Sequence, residues 1–315
     1  MPGSEIYVGF DLGGSFLKAS SFSMDGALQE RSSIDTQRCQ RAEDYPDLFK
    51  DAIKSFSTGK HLKGIGVAVA GVLDLDAGRV VDSPNLPALC GVPLLGMLEN
   101  SFSPIPLQMM NDANAAALGE YFAGAGEGYE SMFIITLGTG VGGGFVQNGE
   151  LWRGTTGMAG EIGHMVIEKN GKLCTCGSRG CLEAHFSSWA LERDAKTHAE
   201  QHPDSAIGSI GEISPILLAE LAGSGDHDAR AIWENGGHAL GVGIANIMNL
   251  LNPASIVLVG GLMNAKEHFL PSAQRAWEAN SFEQASSSSK VFLGKLGEWA
   301  GVRGAIQPFL RSAQC

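Results

Sequence analysis

Two segments of the chain repeat the same pattern of apolar and polar positions. Each consists of an apolar run, a glycine-rich turn, a second apolar run and a dipeptide typical of tight hairpins, which is Asp-Gly at 25–26 in the first segment and Asn-Gly at 148–149 in the second. The glycine turns, at Gly13 and Gly138, lie 125 residues apart. The pattern predicts a duplicated unit in which each copy opens a domain with a glycine hairpin, although two unrelated hairpins could produce the same spacing.

The remaining pattern alternates between strands and helices. LKGIGVAVAGVLD predicts a buried strand that ends at Gly71, and NDANAAALGEYFAG predicts an alanine-rich helix that begins near Asn111. A long helix with several glycines precedes the strand SIVLVGG, and a further helix follows it. This order is typical of a doubly wound α/β layer. Near the C-terminus, SFEQASSSSK predicts a surface loop, KVFLGKL a strand and GVRGAIQPFL a short helix.

Length and composition disfavour several classes of protein. A chain of 315 residues exceeds the size of a comfortable single core, so we expect two domains. Its net charge of −12 disfavours a broad nucleic-acid surface, which would need clustered Lys and Arg. The sequence has no apolar run of about 18 residues, which is the length that a membrane-spanning helix needs. The N-terminal segment MPGSEIYVGFDLGG does not begin with the basic residues of a signal peptide. We therefore expect a cytoplasmic protein that binds neither nucleic acid nor membranes.

Half of the six cysteines lie in one short segment, HMVIEKNGKLCTCGSRGCLEAH, between His164 and His185. In a reducing compartment, clustered cysteines are more often metal ligands than disulfides. Three thiolates and one imidazole are a common donor set of structural zinc sites, whereas surface thiols or a Cys-x-Cys redox pair are the alternatives. The candidate zinc ligands are His164, Cys174, Cys176 and Cys181, with one histidine surplus. The scattered Cys39, Cys90 and Cys315 are expected to be free thiols.

Two glutamates flank the candidate zinc ligands. Glu161 precedes the first ligand in GEIGH, and Glu183 follows the last cysteine in CLE. A closed zinc site would brace this loop rather than react, and it would carry both glutamates near His164. Two carboxylates and an imidazole suit a polyhydroxylated ligand, because each carboxylate can accept hydrogen bonds from hydroxyl groups. Taken singly, each glutamate is more typical of a solvated surface charge.

The two glycine turns, DLGGSFLK and LGTGVGGG, are candidates for phosphate binding. Neither is a Walker A loop, which needs Lys-Ser or Lys-Thr after its last glycine. The second matches Gly-x-Gly-x-x-Gly, but it continues as a hairpin strand instead of opening a helix, which disfavours a dehydrogenase. Glycine hairpins can present backbone N–H groups to phosphates, although each could be a plain β-turn. The residues of the two candidate cradles are Gly13, Gly14, Ser15, Gly138, Thr139 and Gly140.

Asp112, in MMNDANAA, admits two interpretations. An Asp at the start of a helix is most often an N-cap. It could instead be a general base next to Asn111, and such a base typically contributes about 10²- to 10⁴-fold in rate. For phosphoryl transfer, the remaining contributions are positioning and charge neutralisation by Mg²⁺.

These motifs together resemble the ROK family (repressor, open reading frame, kinase), and within it the ATP-dependent sugar kinases of glucokinase type. The resemblance covers nearly the whole chain and rests on DLGGS, SPNLP, NDANAA, LGTGVGGG, GEIGH with CxCGxxGCLE, and VGG. It implies an actin-like (ribonuclease H-like) α/β fold with a cleft between two domains. The implied domains are a smaller one at 1–112 and a larger one at 113–300 with the zinc loop, and a C-terminal helix at about 301–315 would pack back on the first.

The resemblance also implies residue roles. Asp112 would be the catalytic base that takes a proton from a sugar hydroxyl, usually the 6-hydroxyl, as this oxygen attacks the γ-phosphate of ATP. Asp11 would organise Mg²⁺, and His164 rather than His185 would complete a structural Zn²⁺ site. The implied sugar-binding residues are Asn85, Asn111, Asp112, Glu161, His164 and Glu183. The implied nucleotide-binding residues are Asp11, Gly13, Gly14, Ser15, Lys18, Gly138, Thr139, Gly140, Gly260 and Gly261.

Two loops next to the implied sugar site depart from the family pattern. LPALCG, after Asn85, has no Gly-Trp, and AVAGVLD has no Pro-Gly. Glucose is therefore one candidate among several hexoses, with fructose, N-acetylglucosamine and N-acetylmannosamine as alternatives.

A second class of function is a non-catalytic, sugar-responsive regulator. Repressors of the family carry a DNA-binding helix-turn-helix before the glycine hairpin, and we expect no room for one before a first strand at about Glu5. A pure sensor would also not need the base Asp112. The resemblance further implies a homodimer or homotetramer that takes part in carbohydrate metabolism and glycolysis.

Overall fold

The computed structural model describes residues 4–312, apart from the side chains of Ser55 and Ser57. The strands are β1 (Glu5–Leu12), β2 (Phe16–Ser23), β3 (Leu28–Asp35), β4 (His61–Val69), β5 (Val72–Asp74), β6 (Arg79–Asp82), β7 (Leu107–Asn111), β8 (Ser131–Leu137), β9 (Val141–Gln147), β10 (Glu150–Leu151), β11 (Ser255–Val259) and β12 (Lys290–Leu293). The helices are α1 (Tyr45–Ser57), α2 (Leu94–Phe102), α3 (Asp112–Ala123), α4 (Ser188–Gln201), α5 (Pro215–Ser224), α6 (His227–Leu251), α7 (Lys266–Asn280), α8 (Glu283–Ser288), α9 (Ala300–Ala305) and α10 (Gln307–Ser312).

Two five-stranded sheets have the same strand order. The first runs β3-β2-β1-β4-β7 and the second β10-β9-β8-β11-β12. In each sheet the first strand of the glycine hairpin also pairs in parallel with a later strand, β1 with β4 and β8 with β11. A further parallel strand, β7 or β12, follows in each. The duplication predicted from the two glycine hairpins is therefore confirmed in the strand order.

The dipeptide turns form as the sequence pattern predicts. Gly26, between β2 and β3, has φ of +84°. Asn148 and Gly149, between β9 and β10, have φ of 53° and 78°. In the second turn, positive φ at both central residues matches the right-handed twist of the flanking strands, and Asn and Gly are the residues that tolerate it. In the first turn only the glycine has positive φ.

The first sheet is covered on both faces. On one face, the ring of Phe10 in β1 packs edge-on against Phe49 of α1, with centroids 4.7 Å apart, in the main hydrophobic core. On the other face α9 lies directly on β1, where a Cβ on Gly9 would meet the carbonyl oxygen of Val302 at 2.2 Å. Glycine is therefore required for the helix to approach the strand so closely.

The described residues divide into two compact units. The first covers the described parts of Met1–Gly128, Phe145–Ala159 and Lys295–Cys315, and the second covers Tyr129–Gly144 and Gly160–Gly294. The helix α3 belongs to the first unit, because it packs against α9. The sequence instead places a boundary after residue 112, and the predicted domain ranges 1–112 and 113–300 stay a prediction.

Some predictions differ from the structure. SFEQASSSSK is not only a loop, because α8 forms within it, and that prediction was wrong. Its serine hydroxyls donate to backbone carbonyls three residues back, as from Ser286 to Glu283 and from Ser288 to Ala285, a local pattern more typical of turns. Helices α1, α2 and α5 were not predicted from the sequence, although the apolar spacing of α1 is typical of an amphipathic helix.

Cys39 and Cys90 are free thiols, as predicted, whereas Cys315 lies outside the described residues. Across residues 4–312, none of the helices combines the length and the apolar character that crossing a bilayer requires.

Candidate active site and metal centre

The predicted site residues fall into two sets, one in each compact unit. The first unit contains Asp11, Gly13, Gly14, Ser15, Lys18, Asn85, Asn111 and Asp112. The second contains Gly138, Thr139, Gly140, Glu161, His164, Cys174, Cys176, Cys181, Glu183, Gly260 and Gly261.

The structure brings one histidine and three cysteines of the second unit together. The ligand atoms of His164, Cys174, Cys176 and Cys181 all lie within 4.8 Å of one another. The two sulfurs of Cys176 and Cys181 are 3.7 Å apart, and Cys174 Sγ is 3.7 Å from His164 Nδ1. Tetrahedral zinc with Zn–S bonds of about 2.3 Å holds two sulfurs about 3.8 Å apart, whereas a disulfide joins them at about 2.05 Å. The residues therefore fit a zinc ion rather than a disulfide.

Tight turns hold the ligands in this arrangement. The Cys174 N–H donates to the carbonyl of Ser178 at 2.8 Å, and the Gly177 N–H donates back to the carbonyl of Cys174 at 3.0 Å. Gly177 and Gly180 have φ of +89° and +82°, which glycine adopts at no steric cost. His185 lies outside the cluster, and its Nε2 is 3.3 Å from a carboxylate oxygen of Glu168. The structure thus brings His164, not His185, to the thiols.

The thiols of the cluster differ in acidity. A hydrogen bond from the backbone N–H of Ser178 lowers the pKa of the Cys176 thiol to about 7. Burial raises the pKa of the Cys181 thiol to about 12. A bound cation would favour the thiolate at each position, because thiolates are the form that ligates metal.

Glu183 connects the cysteine loop to the second glycine hairpin. Its side chain is buried, and its Oε2 accepts the Val141 N–H at 2.9 Å, just after the glycine turn. Its Oε1 accepts the hydroxyl of Thr175, which lies between two of the cysteines, at 3.3 Å. A Cβ on Gly140 would lie 2.5 Å from Glu183 Oε2. The carboxylate therefore supports the hairpin directly, a role that sequence reasoning missed.

The pKa of Glu161 is affected by the charges of His164 and Glu183. Neighbouring protein atoms desolvate its carboxylate and raise its pKa, the charge of His164 opposes this shift, and the negative charge of Glu183 adds to it. The charges of Glu161, His164 and Glu183 therefore interact, and their grouping as a sugar site stays a prediction.

The second glycine hairpin is hydrogen-bonded to a residue that lines a cavity. The Gly138 N–H donates to the carbonyl of Gly140 at 3.0 Å, and the carbonyl of Gly138 accepts the Ser188 N–H at 2.9 Å. Ser188 and Gly261 both line a cavity of about 810 Å³, whose walls also include Leu262. The other lining residues are Glu192, Ser214, Pro215, Ile216, Ala219, Glu220, Gly223, Trp233, Asn264, Ala265, Glu267 and His268. Mostly apolar walls with a few polar groups are typical of small-molecule sites.

The backbone at position 260, next to the cavity residue Gly261, requires a glycine. Its φ is +109°, and a Cβ there would lie 2.2 Å from the carbonyl oxygen of Leu137, the last residue of β8. The close approach brings the end of β11 against the start of the second hairpin. The resemblance implied Gly260 and Gly261 but not the walls of the cavity, part of which is formed by α5, a helix that was not predicted.

In the first unit, Asn111 rather than Asp112 caps α3. The Asn111 side chain accepts the Asn114 N–H at 3.1 Å, and its Nδ2 donates to the carbonyl of Gly71 at 3.0 Å. Asp112 is the first residue of the helix, where its Oδ1 accepts the Ala113 N–H at 2.9 Å. The N-cap alternative for Asp112 is therefore wrong, and its carboxylate lies in the positive field of the helix start.

Asp11 lies close enough to Asp112 to be affected by its charge. Burial raises the pKa of Asp11 to about 7, the negative charge of Asp112 adds to this shift, and Lys18 opposes it. Lys18 in turn forms an ion pair with Glu298, with Nζ 2.8 Å from Oε2. Two neighbouring carboxylates repel each other unless a cation or a proton compensates them, so the pair is suited to holding Mg²⁺.

The first glycine hairpin is supported by neutral groups. The hydroxyl of Thr36 donates to the carbonyls of Gly14 at 2.7 Å and Gly13 at 3.1 Å. A Cβ on Gly14 would lie 2.7 Å from the carbonyl oxygen of Asn85. The loop that contains Asn85 therefore packs directly on the hairpin. Sequence reasoning missed Thr36, because a lone threonine after a strand carries no motif.

The fold and these two sets of residues define a protein of the actin-like α/β class, as predicted. The sequence profile of the ROK family matches residues 7–311, and the chain belongs to this family. It is 34% identical to a glucokinase of Halalkalibacterium halodurans over 308 residues, which cover 95% of this chain and 93% of that protein.

Two further relatives differ in their functions. A ROK family glucokinase from Streptomyces griseus, solved in complex with glucose and AMPPNP, is 31% identical with a TM-score of 0.80, and the match covers 95% of this chain and 97% of that one. A xylose repressor of Caldicellulosiruptor bescii is 31% identical over 264 residues, which cover 82% of this chain and 66% of the repressor. The family thus includes both kinases and repressors among the relatives of this chain.

Proposed function

We propose that this chain, an ATP-dependent sugar kinase of the ROK family, transfers the γ-phosphate of ATP to the 6-hydroxyl of a hexose, with glucose as the first candidate. The observation that carries the proposal is the environment of Asp112. Asn111 caps the helix in its place, and the charge of Asp112 contributes to the raised pKa of Asp11. A carboxylate at a helix start, next to a second carboxylate suited to a divalent cation, is what proton removal and phosphoryl transfer require.

The proposed roles follow the two sets of residues. Asp112 accepts the proton of the attacking sugar hydroxyl, and Asn85 and Asn111 bind neighbouring hydroxyls from the same unit. Glu161 and Glu183 accept hydrogen bonds from further hydroxyls, and His164, whose Nδ1 faces the thiols, donates one from its Nε2 N–H. Asp11 holds Mg²⁺, which supplies charge neutralisation at the phosphates when it is bound.

The proposed nucleotide site uses backbone groups and the cavity. The backbone of Gly13–Ser15 and Gly138–Gly140 offers N–H groups to phosphates, with Thr139 and Lys18 beside them. Adenosine occupies the region of Gly260 and Gly261, whose neighbour Leu262 lines the cavity. The support for this placement is that Ser188, which binds the Gly138 carbonyl, lines the same cavity.

We further propose that the Cys₃His cluster binds structural Zn²⁺ through His164, Cys174, Cys176 and Cys181. A four-ligand site is closed to water, so the ion would stabilise the loop without taking part in the chemistry. A reducing cytoplasm would keep the three thiols available as ligands, and we place the protein there. The protein itself we expect to be a homodimer or homotetramer.

The experiment that tests this function measures ADP release with Mg²⁺-ATP across glucose, fructose, mannose, N-acetylglucosamine and N-acetylmannosamine. Asp112→Asn should abolish sugar-dependent ADP release, by about 10²-fold or more, while calorimetry shows that sugar still binds. Asp47→Asn is the matched control, because Asp47 also lies in the first turn of a helix but is exposed. Near-normal turnover in Asp112→Asn would remove Asp112 from the mechanism.

A second candidate function is a sugar-responsive regulator, which the similarity to the xylose repressor favours. The same experiment separates the two functions. A wild-type protein that binds a sugar but releases no ADP with any sugar in the panel would support the regulator and contradict the kinase.

A further inference from the structure

Glu120, in the last turns of α3, is a buried carboxylate held by backbone groups. Glu120 is 0% exposed to solvent. None of the cationic side chains in residues 4–312 forms an ion pair with its carboxylate. Its Oε2 accepts the N–H of Ala125 at 2.8 Å and of Lys295 at 3.1 Å, and its Oε1 accepts the N–H of Leu296 at 2.8 Å. Three donors therefore converge on one buried carboxyl group, and removing it would leave them unsatisfied.

The site is built to receive this side chain. A Cβ on Gly124 would lie 2.1 Å from Glu120 Oε2, so glycine leaves the space that the carboxylate occupies. Lys295 and Leu296 are distant from α3 in sequence and are separated from α9 only by the short 3-10 turn Gly297–Trp299. The carboxylate thus joins the end of α3 to the start of the last segment of the chain.

The same two segments also touch through their helices. A Cβ on Gly304 would lie 1.6 Å from the carbonyl oxygen of Ala115, and one on Gly119 would lie 2.2 Å from that of Ala300. Backbones in such close contact have little freedom to shift. The carboxylate bonds and the helix contact together define one position for residues 295–305 relative to α3.

Residues 295–305 contact the proposed catalytic groups of the first unit. Glu298 forms the ion pair with Lys18. Gly301 lies against Asp11, where a Cβ would be 2.8 Å from Asp11 Oδ2. Asp112 is the first residue of α3, the helix that Glu120 holds at its other end.

We propose that Glu120 is a positioning residue for phosphoryl transfer: it holds residues 295–305 on α3 and thereby sets where Asp11 and Lys18 lie relative to Asp112. The inference rests on the proposed kinase function. Glu120 itself does not contact the substrate in this proposal. Misplacement of a reacting group by about 1 Å can cost about 10²-fold in rate, so an effect through position is large enough to measure.

Glu120→Gln tests the proposal, because the amide keeps the shape but replaces one acceptor oxygen with a donor that faces N–H groups. At a temperature where the variant is folded, we expect kcat to fall about 10- to 100-fold. The Mg²⁺ concentration for half-maximal rate at fixed ATP should rise, while KM for the sugar stays near the wild-type value. Glu127→Gln, in the exposed loop after α3, is the matched control and should change neither quantity.

A second readout does not depend on activity. In protein free of metal and nucleotide, hydrogen exchange at the amides of Lys295 and Leu296 should be faster in Glu120→Gln and unchanged in Glu127→Gln. Gly301→Ala provides a second variant, since its methyl group displaces Asp11 without touching Glu120. It should raise the Mg²⁺ requirement in the same way, and if Glu120→Gln does not fold it still tests the contact between residues 295–305 and Asp11 on which the proposal depends.

The outcomes separate this inference from the proposed function. A folded Glu120→Gln with wild-type kcat, Mg²⁺ dependence and amide exchange would overturn the positioning role and leave the kinase function intact. An unchanged Mg²⁺ dependence in Gly301→Ala would overturn it as well. A wild-type protein inactive towards every hexose would overturn the proposed function and, with it, this inference.

Discussion

The two glycine hairpins have the same place in two sheets of the same strand order, but they are supported by different chemistry. Neutral hydrogen bonds from Thr36 and contact with Asn85 hold the first hairpin. The second hairpin is held by the buried carboxylate of Glu183, which the cysteine loop carries. The two hairpins therefore share the same position in the sheet topology. The stability of the second hairpin additionally depends on whether the cysteine loop is ordered.

Loss of the metal site should have the largest effect on this comparison. Bound zinc contributes about 10 kcal/mol or more to ordering such a loop, so Cys176→Ser should lose zinc, weaken the support of the second hairpin by Glu183 and abolish most activity. Cys90→Ser, which changes a free thiol outside the cluster, is the control. Zinc content per chain, measured by elemental analysis, would contradict the ligand set if it were the same in Cys176→Ser and in the wild type.

Within the second hairpin, Gly140 and Gly138 should differ sharply. Gly140→Ala places a methyl group about where Glu183 Oε2 now lies, since the distance would be 2.5 Å, whereas a Cβ on Gly138 meets nothing within 4 Å. Displacement of the carboxylate should lower kcat/KM for ATP by about 10²-fold in Gly140→Ala, with a much smaller change in Gly138→Ala. Steady-state kinetics at saturating sugar measure both.

The first hairpin provides the corresponding control. A Cβ on Gly13 would lie 3.5 Å from the nearest atom, which is an ordinary contact. Gly13→Ala should therefore resemble Gly138→Ala. Equal losses in Gly140→Ala and Gly138→Ala would show that the backbone conformation, and not the space for Glu183, limits the second hairpin.

The smallest expected effect concerns pH and only the first unit. Asp11 has a folded-state pKa raised to about 7 from 3.8, so the folded protein binds one more proton than the unfolded chain between these values. The free energy of unfolding without Mg²⁺ should therefore decrease as pH rises from about 4 to about 7 and then level off. Asp11→Asn removes this dependence, and chemical denaturation of both proteins at pH 5 and pH 8 measures it. A wild type that gains stability over this interval relative to Asp11→Asn would contradict the burial of the Asp11 carboxylate.

Several parts of the fold and site could be predicted from local sequence alone. The hairpin dipeptides, the strand that ends in SIVLV and the helix that begins at Asp112 each have a short-range cause in turn residues or apolar spacing. The Cys₃His set was predictable because metal donors have few other reasons to cluster in one short segment. Helix α8 was not predictable, since its serines favour turns and its position depends on the contact of the Phe282 N–H with Asn249.

The sequence by itself determined the two glycine hairpins and the donor set for a metal, because each depends on residue types at short spacing. Asp11 and Asp112 are distant in the chain, and only the resemblance to the ROK family connected them. Only the tertiary structure decided which group does what within these sets. It showed that Asn111 caps α3, that Glu183 supports the second hairpin, and that Glu120 joins α3 to residues far along the chain. These roles depend on hydrogen bonds between distant segments, and the geometry of such bonds arises only when both segments pack in one core.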